Sequence, residues 1–133
     1  MLSKIDLKIV AKLGTGIDNI DLNAAYKQGV TVTHTPGMNS LSVAEHTVAL
    51  LLTVAHHIGE TQDLLRKGKW RDTAPLGTLI SRKTIGIFGY GNVGRRVAKL
   101  LSGFRLQTLA HDPYVRNIES ELTDTDLCLY TIS

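Results

Sequence analysis

Residues 84–112 read TIGIFGYGNVGRRVAKLLSGFRLQTLAHD. The run from Thr84 to Phe88 is apolar and β-branched, which predicts a buried strand. The glycine-rich run 89–94 follows at once, and residues 95–102 predict a helix that ends at Gly103. Residues 106–110 predict the next strand, with Asp112 just beyond it. This order of strand, glycine turn, helix and strand predicts a βαβ unit with parallel strands.

The glycine turn has the spacing Gly-x-Gly-x-x-Gly in the setting that this motif requires. Gly89 allows the tight turn, Gly91 lets a pyrophosphate approach the backbone, and Gly94 lets the helix pack closely on the strand. Asp112 follows Gly89 by 23 residues and is placed to accept hydrogen bonds from an adenosine ribose. Since an acid there repels a 2′-phosphate, the unit predicts an NAD site. A glycine-rich turn without a ligand is the alternative.

A second, shorter unit precedes it. Residues 8–13 and 30–33 predict strands, and residues 22–28 predict a helix that starts within the polar run 18–21. The turn Gly14-Thr15-Gly16 opens a similar motif, but Asn19 stands at the sixth position, so close helix packing is not specified. We expect no second dinucleotide site here. The turn could offer N–H groups to a small carboxylate or remain without a ligand.

The longest predicted helix opens between Asn39 and Ser42 and runs to Ile58, with Gly59 breaking it. Ser42 and Glu45 have the spacing of a capping box. Residues 48–55 are apolar nearly all round, which predicts a helix that is buried on most sides. It is shorter than the about 20 apolar residues that span a bilayer. Residues 60–67 predict a further helix, and residues 71–83 a loop.

Composition places the chain among globular proteins. Of its 133 residues, 43% are hydrophobic and 20% are charged, which disfavours disorder. The single cysteine, Cys128, excludes a disulfide framework and a cysteine-based zinc site within this sequence. No metal site is expected. The first ten residues show no secretory signal, so the cytoplasm is the expected location.

The charge is unevenly spread. Ten of the 15 basic residues fall within residues 66–105, where Asp72 is the only acid. Such a stretch could attract a phosphate-bearing cofactor or nucleic acid, or could be a solvated basic face. Nucleic-acid binding is disfavoured because interleaved aromatic residues and a reader helix are missing.

These motifs together resemble the D-isomer-specific 2-hydroxyacid dehydrogenases. The resemblance rests on LGTGIDNIDLNAAYKQGVTVTHTPGMNSLSVAEHTVALLL, then GKW, KTIGIFGYGNVGRRVAKLL and HDPY, which cover roughly residues 6 to 115. It implies an α/β fold: an incomplete Rossmann-type parallel sheet with helices, preceded by a fragment of a flavodoxin-like substrate domain. Residues 1–37 would end the substrate domain, and residues 38–133 would form the interdomain helix and the first part of the NAD-binding domain.

The resemblance also implies roles for individual residues. The backbone around Thr15, Gly16 and Ile17 would meet the substrate carboxylate, and Thr15 would also touch the cofactor. Asn39 would lie near the substrate, and Thr47 would face the nicotinamide. The remaining cofactor contacts would be made by Gly89, Gly91, Asn92, Val93, Gly94 and Asp112, with Asn92 and Val93 on the pyrophosphate.

The implied activity is NAD-dependent oxidation of a D-2-hydroxy acid or reduction of a 2-oxo acid, with 3-phosphoglycerate as the first candidate. The family's substrate-binding arginine and its paired histidine and glutamate are expected beyond Ser133, so no catalytic residue is assigned in this chain. An NAD-binding module without turnover is the alternative. The family resemblance further implies a homo-oligomer, a dimer or a tetramer, with neither a nucleic acid nor a membrane as partner.

Overall fold

A computed structural model describes residues 6–70 and 73–115 of the chain. It divides into two compact units, the first covering residues 1–40 and the second residues 41–133. For the residues that follow 115, which include Cys128, the sequence predicts one more short helix and a third strand, and these residues lie outside the described ranges.

The first unit is a small parallel βαβ unit. Its elements are β1 (Ile9–Lys12), α1 (Leu22–Lys27) and β2 (Thr31–His34). The two strands pair in parallel, with Ile9 opposite Thr31 and Lys12 opposite His34. Asp21 caps α1, because its carboxylate accepts the N–H of Ala24 at 2.9 Å. The predicted order of elements is confirmed, with shifts of one or two residues at their ends.

Two consecutive helices, α2 (Ser40–Ala55) and α3 (Ile58–Arg66), follow. The prediction of a capping box at Ser42 is wrong, because α2 already begins at Ser40 and Ser42 lies inside it. The prediction that Gly59 breaks the helix is also wrong. Gly59 lies within α3, and the chain turns instead at His57, whose φ of 51° is left-handed.

The burial predicted for α2 is not found among the described residues. Only Ser40 and Ala44 are fully buried on this helix, whereas Leu50 and Val54 are exposed. The flank that packs on the core of the second unit is formed by Val48, Leu51, Leu52 and Ala55. One stripe of α2 is therefore covered, rather than most of its circumference.

No single helix in the described ranges is long and apolar enough to cross a membrane. Helices α2 and α3 meet that length and composition only when taken together, and the pair is bent by 60°.

The second unit contains the predicted βαβ arrangement. Strand β3 (Thr84–Phe88), helix α4 (Asn92–Leu101) and strand β4 (Gln107–His111) follow one another, and the strands pair in parallel from Thr84–Gln107 to Phe88–His111. The helix starts three residues earlier than predicted, inside the glycine motif. Gly103 does not end it, because residues 102–104 continue as a 3₁₀ turn and Arg105 takes the left-handed conformation with φ 55°.

The core of the second unit fixes α4 on β3. A cluster of buried side chains joins α2, the loop before β3, α4 and the start of β4; its members are Ala44, Ile80, Val97, Leu101 and Leu106. A smaller cluster lies beside the glycine turn and consists of Tyr90, Ala98 and Ala110. Because side chains of α4 pack in both clusters, the amino end of this helix is held at the carboxyl end of β3.

Candidate functional site

The turn at residues 89–94 has the shape that its glycines predict. Gly89 has φ +96°, a conformation that residues with a side chain rarely adopt. A Cβ on Gly94 would collide with the Gly89 carbonyl oxygen, and it would also lie 3.3 Å from the Ile87 Cγ2 atom. The backbone of α4 therefore rests directly on the end of β3.

Neither the backbone conformation nor the packing requires a glycine at position 91. Its φ of −80° is open to any residue, and no atom lies within 4 Å of the position of a Cβ there. Gly91 is the N-cap of α4 and provides no side-chain capping bond. The first N–H groups of α4 have no acceptor within the helix, and they lie at the positive end of the helix dipole. They face the open space beside Gly91. This arrangement fits a pyrophosphate.

Asp112 lies beside the turn, directly after β4. Its Oδ2 accepts the N–H of Tyr90 at 2.7 Å. Its Oδ1 accepts the N–H groups of Tyr114 at 2.8 Å and Val115 at 3.2 Å. These backbone hydrogen bonds, from Tyr114 first and Tyr90 second, hold the pKa of Asp112 below the ordinary value for aspartate. The side chain is therefore a carboxylate at neutral pH.

Two further side chains lie beside the turn: Tyr90, which the sequence does not assign to the site, and Arg95, for which the sequence leaves phosphate binding and a solvent-facing position equally open. Tyr90 is 3% exposed and packs in the smaller core cluster. The Arg95 guanidinium lies over the Tyr90 ring, 5.8 Å from its centroid, which is a cation–π geometry. Tyr90 occupies a variable position of the glycine motif, so the motif alone carries no signal for its role.

The other predicted cofactor residues of the second unit lie in helices. Asn92 and Val93 form the first turn of α4, where Asn92 is exposed and Val93 packs its side chain against the core. Contact with a phosphate would therefore come from the Val93 N–H and not from its side chain. Thr47 is exposed on α2, and its hydroxyl donates to the Val43 carbonyl at 2.8 Å.

In the first unit, hydrogen bonds bring two of the predicted substrate residues together. The Thr15 hydroxyl donates to Asn39 Oδ1 at 3.4 Å and accepts the N–H of Gly37 at 3.3 Å. The turn itself is held to the segment after β2. Gly14 exchanges hydrogen bonds with Thr35, and His34 Nδ1 lies 3.0 Å from the Thr15 carbonyl oxygen.

Gly16 and Ile17 complete this turn. Within the described ranges, neither of their N–H groups donates to a protein acceptor, so both are available to an anion. Gly16 is exposed and Ile17 half-buried. The Asp18 carboxylate lies close by, because a Cβ on Gly16 would be 3.2 Å from Asp18 Oδ2.

Two residues of the basic stretch, Arg82 and Arg105, lie away from the glycine turn. The Arg82 N–H donates to the Arg105 carbonyl at 2.9 Å, which places this pair before the amino ends of β3 and β4. The five residues of β3, at about 3.3 Å each, separate that edge from the glycine turn. Arg95 and Arg96, which lie in the helix that follows the turn, are the basic residues nearest to it in sequence.

No group of three or more His, Cys, Asp and Glu side chains that could hold a metal ion occurs within residues 6–70 and 73–115.

Comparisons with known proteins agree with this geometry. Residues 48–130 match the model of the NAD-binding domain of D-isomer-specific 2-hydroxyacid dehydrogenases. The chain is 40% identical to D-3-phosphoglycerate dehydrogenase of Archaeoglobus fulgidus over 116 residues, which are 87% of this chain and 22% of that protein. It is 42% identical to hydroxypyruvate reductase of Thermotoga maritima over 108 residues, 81% of this chain and 35% of that protein.

A solved structure shows the same fold. NAD-dependent formate dehydrogenase from Staphylococcus aureus, in complex with NAD, superposes with a TM-score of 0.71 at 28% identity, covering 94% of this chain and 41% of that one. The chain thus spans between a fifth and a half of the proteins it matches. The predicted Rossmann-like α/β fold and the predicted NAD-binding unit are confirmed, and the chain belongs to the D-isomer-specific 2-hydroxyacid dehydrogenase family.

Proposed function

We propose that this chain contributes the NAD-binding part of an oxidoreductase that acts on the CH–OH group of a D-2-hydroxy acid. The observation that carries the proposal is the contact of Gly94 with the Gly89 carbonyl, which leaves no room for a Cβ and fixes α4 over the end of β3. Without that contact, the free N–H groups of α4 would not face the open space beside Gly91.

NAD, when bound, supplies the hydride acceptor for the alcohol carbon. The residues that would hold it are few. The N–H groups of Asn92 and Val93 bind the pyrophosphate, and the absence of a side chain on Gly91 lets it approach. Asp112 accepts a hydroxyl of the adenosine ribose. The Thr47 hydroxyl keeps lone pairs for a carboxamide N–H, since it donates its own proton to Val43.

NAD rather than NADP is the proposed cofactor because Asp112 is ionised at neutral pH. Its lowered pKa keeps the negative charge at the place where NADP carries a 2′-phosphate. Like charges in that position oppose each other.

The first unit would hold the acid substrate. The N–H groups of Gly16 and Ile17 would bind its carboxylate, while Thr15 and Asn39 form one hydrogen-bonded pair next to that turn. Thr15 is also proposed to touch the cofactor. On this assignment residues 1–37 end a substrate domain, and residues 38–133 belong to the interdomain helix and the cofactor domain.

The substrate class follows from relatives named for 3-phosphoglycerate and hydroxypyruvate, so 3-phosphoglycerate is the first substrate to test. The catalytic arginine and the histidine–glutamate pair are proposed to lie outside residues 1–133. The second candidate function is an NAD-binding module without turnover, which the same cofactor site would serve. A homo-oligomer in the cytoplasm is the proposed state of the whole protein.

Calorimetric titration tests the cofactor assignment. We expect NAD to bind the chain at least about tenfold more tightly than NADP, a difference of roughly 1.4 kcal/mol. Asp112→Ala should weaken NAD binding, whereas Asp63→Asn, which removes an exposed carboxylate on α3, should not. Failure of NAD to bind, or unchanged affinity in Asp112→Ala, would contradict the assignment.

Turnover separates the two candidate functions. We expect residues 1–133 alone to form no NADH from D-3-phosphoglycerate and NAD. A longer chain that includes the proposed catalytic groups should form it. NADH production by residues 1–133 alone would show that the catalytic groups are not outside them, and NAD binding by the longer chain with no turnover on any D-2-hydroxy acid would favour the module.

A further inference from the structure

The carboxylate of Asp112 is already engaged before any cofactor binds. It accepts three backbone N–H groups, one from the glycine turn and two from the segment after β4. A carboxylate offers about four lone-pair sites, so about one, on Oδ2, remains for a ribose hydroxyl. If Asp112 served only to bind the ribose, we would not expect most of the lone pairs of its carboxylate to accept hydrogen bonds from the protein.

The bond to Tyr90 is the shortest of the three at 2.7 Å, and it joins two different elements. Tyr90 lies between Gly89 and Gly91, and Gly89 itself donates its N–H to the His111 carbonyl at 2.8 Å. Two successive N–H groups of the turn are therefore tied to two successive residues at the end of β4. Gly91, the next residue, begins the open phosphate-facing segment.

From these contacts we infer that Asp112 is a positioning residue that clamps the glycine turn through the Tyr90 N–H, and so shapes the pyrophosphate site independently of any contact with ribose. The inference rests on the proposed NAD site and deepens it. Hydrogen bonds from N–H groups to an ionised acceptor are stronger than neutral ones. The clamp holds only while the side chain is a carboxylate, and the same bonds that form it keep the carboxyl ionised.

The Tyr90 side chain supports the same role. It is buried in the cluster with Ala98 and Ala110, one residue from α4 and one from β4. The ring thus fixes the turn on its inner side while the carboxylate fixes the backbone N–H. Loss of the carboxylate leaves the ring in place but frees the peptide that leads into Gly91.

Paired ligands distinguish the clamp from the ribose contact. ADP carries the pyrophosphate and both ribose hydroxyls, whereas 2′,3′-dideoxy-ADP keeps the pyrophosphate and lacks both hydroxyls. Asp112→Asn preserves the shape of the side chain, but its one remaining carbonyl oxygen cannot serve Tyr90, Tyr114 and Val115 together. If the clamp exists, Asp112→Asn lowers the affinity for dideoxy-ADP about five- to tenfold, because one charge-assisted hydrogen bond is lost. Removing a negative charge beside a pyrophosphate would by itself act in the opposite direction.

A readout without ligand accompanies the titration. Hydrogen exchange at the Tyr90 amide should be at least about fivefold faster in Asp112→Asn than in the wild type, and unchanged in the charge-matched control Asp63→Asn. If the asparagine variant does not fold, Asp112→Glu replaces it in this measurement, because glutamate keeps the charge but moves the oxygens by one methylene. The Tyr90 amide of Asp112→Glu should show the same faster exchange.

The inference is overturned if dideoxy-ADP binds the folded Asp112 variant as tightly as the wild type, or if Tyr90 exchange is unchanged. Failure of wild-type protein to bind either nucleotide would instead overturn the proposed cofactor site. The exchange measurement in the ligand-free protein would still decide whether the clamp exists.

Discussion

The glycine turn of the first unit and that of the second both connect a strand to the helix of a parallel βαβ unit, but different groups hold them. In the first, the segment after β2 does so: Thr35 exchanges hydrogen bonds with Gly14 through both its hydroxyl and its backbone N–H, and His34 Nδ1 lies 3.0 Å from the Thr15 carbonyl oxygen. In the second, the backbone of α4 lies directly against the turn, since a Cβ on Gly94 would collide with the Gly89 carbonyl, and the Asp112 carboxylate accepts the Tyr90 N–H.

This difference bears on what each turn can bind. The second turn offers the N–H groups at the start of α4 to a large anion such as pyrophosphate, and it has no space for an added atom at Gly94. A turn held by hydroxyl and imidazole groups leaves only a few N–H groups free, enough for a small carboxylate. The two turns are therefore expected to respond differently to substitution.

The largest expected effect is that of Gly94→Ala. The new methyl would collide with the Gly89 carbonyl, so α4 must move away from β3. Overpacking of this kind costs about 1–3 kcal/mol of folding free energy. NAD affinity should fall about 100-fold, because two charge-assisted hydrogen bonds to phosphate lose their geometry. Urea unfolding and calorimetry measure the two effects.

Gly103→Ala is the matched control. Gly103 lies in the 3₁₀ turn after α4, and no atom lies within 4 Å of its Cβ position. We expect this variant to bind NAD like the wild type. If Gly94→Ala did so as well, the close contact would have no bearing on the cofactor.

Gly91→Ala should separate binding from folding. Its Cβ position is open and its φ is ordinary, so the free energy of unfolding should change by no more than about 1 kcal/mol, the cost of a poorer N-cap. The methyl would occupy the space proposed for the pyrophosphate, and NAD affinity should fall about tenfold or more. Unchanged affinity would mean that the phosphate lies elsewhere.

Much of this site could be predicted from the sequence because its geometry is coded locally. Strand β3 was predicted at the residues where it lies, 84–88, and Asp112 follows β4 directly. The start of α4 was placed too late, because Asn92 and Gly94 are weak helix formers whose helical state depends on packing against β3. The break at His57 could not be predicted, since a left-handed histidine has no strong sequence signal and Gly59 offered a better one.

Other features depend on contacts between residues distant in sequence. Arg82 and Arg105 flank the glycine turn in the sequence, but in the structure they lie before the amino ends of β3 and β4, at the edge of the sheet opposite to the turn. The bond from Tyr90 to Asp112 involves a backbone N–H, which every residue except proline possesses. A pattern of side chains in the sequence therefore cannot predict such a hydrogen bond.

In the first unit, Thr15→Val should have a smaller effect. It removes the hydroxyl that links Gly37 and Asn39, but both bonds are long and exposed, at 3.3 and 3.4 Å. We expect a loss of about 0.5–1 kcal/mol in folding free energy and faster hydrogen exchange at the Gly37 amide. Thr15→Ser keeps the hydroxyl and should behave like the wild type. Equal exchange in the valine and serine variants would show that the Thr15 hydroxyl does not hold the Gly37 amide.

The smallest effect is expected from acid. Because hydrogen bonds lower the pKa of Asp112 in the folded state, its contribution to stability is complete above the unfolded-state value of about 4 and is lost as the pH falls below it. The hydroxyls of Thr15 and Thr35, which hold the other turn, do not ionise in this range. The free energies of unfolding of wild type and Asp112→Asn, measured in urea, should therefore differ at pH 6, and the difference should shrink as the pH falls below about 4. A difference that stayed constant would mean that Asp112 is not the acid-sensitive support of the second turn.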